Sequence, residues 1–100
     1  MIENPLPTDL PELLSEALLA LEGGRRDADA REESAEEALE AVQKLEGTVE
    51  QVRSQELREW VARELSLTRE ALEEARNEEA RDRLLDVGRT MDRHVKEMRG

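Results

Sequence analysis

Residues 55–99 read QELREWVARELSLTREALEEARNEEARDRLLDVGRTMDRHVKEMR, and the spacing of their apolar side chains decides the fold. Leu57, Val61, Leu65, Thr68, Leu72 and Ala75 follow one another at steps of three or four. Ala80, Leu84, Val87, Met91, Val95 and Met98 do the same, with His94 beside Val95. Such steps keep one face of an α-helix apolar, whereas a half-buried strand alternates every second residue. Between the two series the step widens to five, from Ala75 to Ala80, with Asn77 inside it. One extra residue rotates an apolar stripe by about 100° on an ideal helix. The slip is either a turn between helices at 55–76 and 78–99 or a skip residue within one rod. It contains neither Gly nor Pro, the usual punctuation of a tight turn, so both readings stand.

The same rhythm extends towards the N-terminus. Ala35, Ala38 with Leu39, Val42, Leu45, Val49 and Val52 predict a helix over 29–53. A second step of five, from Val52 to Leu57, ends that seam, and Ser54 is placed to cap the helix that follows. Gly47 falls on the outer face; a helical glycine costs about 1 kcal/mol relative to alanine, so the helix is expected to pass through it. Asp9-Leu10-Pro11-Glu12 opens a shorter helix over 10–22: aspartate caps, proline is tolerated in the first turn, and Glu12 sits where a capping-box carboxylate reaches back. Leu10, Leu13, Leu14, Ala17, Leu18 and Leu21 form its wide stripe, and Gly23-Gly24 is the predicted stop. Pro5 and Pro7 predict an extended arm over 1–8, and residues 25–30 read as a polar connector. From Ala28 to Gly100 there is no proline.

One hundred residues make a single domain. The predicted fold is all-α: a small antiparallel helical bundle with one short helix and two or three long amphipathic ones, packed in the manner of a coiled coil. Its core is thin, with no Phe, Tyr or Cys and Trp60 as the one Phe, Tyr or Trp residue. Narrow stripes over a thin core predict a partner chain, most simply a symmetric homodimer. Leu57, Trp60, Val61, Leu65, Leu72, Leu84, Val87, Met91 and Val95 are the candidate interface. The first helix has two readings: a segment that lies in a partner's groove, or a helix that caps its own bundle.

The formal net charge is −11, unevenly spread. Residues 1–52 hold fourteen acids against four bases, whereas residues 53–100 hold twelve against eleven. Such an anion repels nucleic acid and anionic membranes, so neither is an expected direct partner. No apolar run reaches membrane-spanning length and residues 1–7 carry no basic segment, so the expected location is the cytoplasm.

Candidate chemistry is sparse. His94 is the single histidine, and it shares a helix face with Glu97. Di-metal bundles use Glu-x-x-His; here the order is reversed, and Glu64, Glu70, Glu73 or Glu74 would have to supply further ligands. Glu32-Glu33, Glu36-Glu37, Glu73-Glu74 and Glu78-Glu79 lie on polar faces, without the apolar burial that acid–base work by paired carboxylates needs. One histidine and no cysteine leave no nucleophile–base constellation. Gly23-Gly24-Arg25-Arg26 lacks the strand and Lys-Ser/Thr of a phosphate loop. The sequence therefore predicts no catalytic, cofactor or metal residues and no enzyme. It predicts a small acidic interaction or scaffold protein that self-associates through its seams. The alternatives are a metal-binding bundle built on His94 and carboxylates, and a non-enzymatic regulatory partner of a basic protein or transcription complex.

Overall fold

The computed structural model describes residues 9–26 and 31–99, so the predicted arm at 1–8 lies outside the described residues. Among the described residues there are four helices and no strand: α1 (Asp9–Arg26), α2 (Arg31–Val49), α3 (Gln55–Glu73) and α4 (Asn77–Arg99). Each helix packs on its neighbours in the chain, and α1 closes the ring against α4. The result is an all-α antiparallel bundle. Its radius of gyration, 13.7 Å, matches the roughly 13 Å of a folded chain of 100 residues.

Helix α1 starts with Asp9 and Glu12 in its first turn, where carboxylates favour the positive end of the helix dipole. It does not stop at Gly23-Gly24 but runs through both to Arg26. No glycine among the described residues has a positive φ. Tertiary packing outweighs the weak local preference here: a methyl group on Gly23 would lie 3.9 Å from Ser34 Oγ, so α2 runs alongside. The α1–α2 pair is the most extensively packed in the molecule. Its buried residues include Ala17, Ala38, Ala41 and Ser34, whose small side chains let two backbones approach closely.

Helix α2 passes through Gly47 and ends at Val49. Gln51 N–H donates to Thr48 O at 3.0 Å and Val52 N–H to Val49 O at 3.0 Å, which closes a turn. Val52 remains buried although it has left the helix, so the step of five is a turn that keeps the stripe in the core. Ser54 then caps α3 from an extended backbone, its Oγ accepting from Leu57 N–H at 3.3 Å.

The second step of five is also a turn, and α3 and α4 are separate helices. Arg76 N–H donates to Ala71 O at 2.8 Å and Ala75 N–H to Leu72 O at 3.1 Å. That pair of bonds is a Schellman C-cap, which requires a left-handed residue between cap and chain. Ala75 takes it, with φ 59°. Arg76 then makes ion pairs with Glu74 and Glu79 on either side.

One core cluster joins all four helices, including Leu10, Leu21, Leu45, Leu65 and Leu84. Three ion pairs tie helix to helix around it: Arg81–Glu22 (3.1 Å) between α4 and α1, Arg83–Glu64 (2.7 Å) between α4 and α3, and Arg69–Glu46 (3.2 Å) between α3 and α2.

Candidate protein-binding groove

The nine seam residues singled out from sequence occupy the inside of one chain. Leu57, Val61, Leu65, Leu72, Leu84, Val87 and Met91 are buried, while Trp60 and Val95 are half-buried and packed against the same core. The stripes that looked too narrow to stand alone are covered within the chain. The cover comes from α1, whose Leu10, Leu14, Ala17 and Leu21 are also buried. This answers the two readings of the first helix: its leucine stripe completes its own bundle.

His94 is half-buried on α4. Among the described residues, no group of three His, Asp or Glu side chains is arranged to hold a metal ion. Of the carboxylates named with it, Glu64 is bound to Arg83, and Glu70, Glu73 and Glu74 are exposed.

The feature that sequence reasoning missed is on the outer face of α1 and α2. Leu19 is 71% exposed, far more than any other large apolar residue described. It stands over a groove floored by Ala20 and Ala41, with Gly23 and Ser34 further along. The groove is two adjoining open depressions of about 420 and 280 Å³ that share Leu19, Ala20 and Glu37. Small residues make this shape: they draw α1 and α2 together and leave a shallow trough above the seam. A signal was present, because Leu19 falls out of phase with the stripe. At 100° per residue it lies about 140° around the helix from Leu14.

The rim is acidic. Glu16 lies on the α1 side, and Glu33, Glu37 and Glu40 follow at steps of four and three along α2, with Lys44 at one end. Among the described residues, Glu16, Glu33, Glu37 and Glu40 take part in no ion pair. Helices α1 and α2 together carry ten acids and four bases, against eleven and nine on α3 and α4. A further depression between α3 and α4 differs in kind: Glu64, Glu79, Asp82 and Asp86 there are interleaved with Arg83 and Arg89.

No helix among the described residues is long and apolar enough to cross a membrane. Comparison with known families, curated proteins and solved structures finds no match to this chain.

Proposed function

We propose that this chain is a non-enzymatic acidic interaction protein that engages a basic protein through the outer face of its α1–α2 pair. The observation that carries this reading is Leu19. Leu19 is not used by the bundle core: it stands 71% exposed beside a groove. An exposed apolar side chain beside a concave surface offers a partner apolar area to bury, as in helix-in-groove recognition. The unpaired glutamates around it give the face its sign, and opposite charge on a partner steers encounter and fixes register.

This reading moves the interaction surface away from the apolar seams. Seven of the nine seam residues are committed to the core, which leaves self-association only Trp60 and Val95 from that set. The test is photo-crosslinking in the native cell, with a benzoylphenylalanine at position 19 and, as a control, at position 67 on α3. Adducts to a basic protein from position 19 alone support the proposal. Adducts only to a second copy of the chain, or equally from both positions, overturn it.

A further inference from the structure

We propose that the occupant of the α1–α2 groove is a cationic amphipathic helix of another protein, seating a large apolar side chain over Ala20 and Ala41 against Leu19. This rests on the preceding reading and deepens it by naming the shape and chemistry of the partner segment.

Three observations converge on a helix. The two depressions adjoin along the α1–α2 pair, from Glu16 and Lys44 to Gly23 and Glu33, the setting in which a helix-in-groove segment lies. Its floor is alanine, which leaves room for a side chain from outside but offers little apolar area of its own; Leu19 supplies the wall. Glu33, Glu37 and Glu40 are spaced at four and three along α2. That is the spacing at which one face of a second helix presents its own side chains. Lysines or arginines at i, i+4 and i+7 would meet this row in register, with apolar residues between them directed into the trough.

The charge selects against other occupants. A second copy docked groove to groove would oppose the glutamate rims of both chains, with one Lys44 on each side to offset them. Nucleic acid and anionic lipid carry the same sign as the rim. A cationic amphipathic helix meets both the row of carboxylates and the exposed leucine.

The experiment uses the full chain and two labelled peptides of about 18 residues, five helical turns. One is built of Leu, Ala and Lys with leucines at i, i+3, i+4 and i+7; the other has Glu for Lys. Binding is read by fluorescence anisotropy. The lysine peptide binds and the glutamate peptide does not. Leu19→Glu is the decisive variant, because it adds a negative charge that would strengthen a purely ionic attraction. The proposal expects the opposite, a loss of about tenfold or more in affinity, the scale of one buried leucine. Leu67→Glu on α3 is the control: it adds the same charge elsewhere and leaves affinity equal or tighter. Equal or tighter binding by Leu19→Glu overturns the groove as the seat. In that case, sensitivity to Glu37→Lys with Glu40→Lys would still leave the acidic-face reading standing. No binding of the lysine peptide to the unaltered chain at about 50 mM salt, where screening is weak, overturns both.

Discussion

Gly88 of α4 and Leu14 of α1 stand so close that a methyl group on Gly88 would lie 3.0 Å from Leu14 Cδ2. This contact, with the Glu22–Arg81 pair further along, fixes how α1 docks on α4. Gly47 makes the contrast: a methyl group there would meet nothing within 4 Å. Replacing a helical glycine by alanine gains about 1 kcal/mol when the space is open. Gly47→Ala is expected to raise the unfolding free energy read in urea by that amount, and Gly88→Ala to gain less or to lose. Gly88→Leu overpacks the contact and costs about 1–3 kcal/mol. Combining it with Leu14→Ala should recover part of the loss, which a double-mutant cycle reads directly. Strict additivity of the two changes would mean that the helices do not meet there.

The turn between α3 and α4 holds an alanine in a glycine's conformation. The left-handed region costs an L-residue about 1–2 kcal/mol, and Ala75 sits there at φ 59°. Ala75→Gly removes that strain but returns about 0.4–1 kcal/mol of entropy to the unfolded chain. The net expectation is stabilisation of about 0.5–1 kcal/mol by thermal or urea unfolding. Ala75→Val should destabilise, because a β-branched side chain tolerates that region worse. A destabilised Ala75→Gly would place α3 and α4 in some other junction.

Leu84 is 0% exposed at the centre of α4. Truncation of a buried leucine costs about 2–5 kcal/mol, a large share of the stability of a domain this size. Leu84→Ala is expected to lower the unfolding midpoint steeply, and Leu84→Glu to abolish the helical circular dichroism signal. A residue that held two folded chains together would behave differently. Its charged variant would keep its helix content and lose mass in sedimentation.

The bridge between Glu64 and Arg83 spans two helices at 2.7 Å, with side chains only 17% and 31% exposed. Arg83 Nε is buried there without an acceptor, so the guanidinium depends on Glu64. Glu64→Ala strands a partly buried cation and is expected to cost about 1.5–3 kcal/mol. Asp92 and Lys96 form an exposed i,i+4 pair on α4, and Asp92→Ala should cost no more than about 0.5 kcal/mol. Chemical denaturation of both variants checks the ranking.

The fold was legible because its main signal is periodic. Leucines and valines at steps of three and four placed the apolar faces, and Ser54 marked the start of α3. What escaped is what periodicity does not encode. Spacing offers Arg69 a neighbour in Glu73, and Arg83 one in Glu79, at i,i+4 on the same helix; instead Arg69 and Arg83 reach across to Glu46 and Glu64. An arginine has the length for either choice, and helix packing decides between them. The α3–α4 turn was ambiguous because alanine, unlike glycine or asparagine, gives no sign of a left-handed position. Gly23-Gly24 misled in the opposite sense, since α2 runs beside Gly23 and α1 continues through both glycines.

The candidate groove was less legible than the fold. Sequence placed the acidic charge in the first half of the chain but assigned interaction to the apolar seams. Those seams close on themselves once α1 is counted as a full side of the bundle. Leu19 was visible only as a leucine out of phase. Its meaning depends on Ala20 and Ala41 being adjacent across the helix pair, a tertiary fact.

Glu37 offers a test of whether the acidic row is kept for stability or for binding. It lies four residues after Glu33 and three before Glu40, and none of the three takes part in an ion pair among the described residues. Like charges at these spacings on one helix cost a few tenths of a kcal/mol each. Glu37→Lys turns two repulsive neighbours into two attractive ones. It should therefore stabilise the chain by about 0.5–1 kcal/mol at low salt, with the gain fading towards about 1 M salt, where the screening length falls to about 3 Å. The same change reverses a charge on the groove rim and should weaken binding of the lysine peptide. A variant that is more stable yet binds less well would show the row opposing folding while serving recognition, the trade-off expected of a working surface. A variant that is less stable would mean that Glu37 contributes to the fold itself.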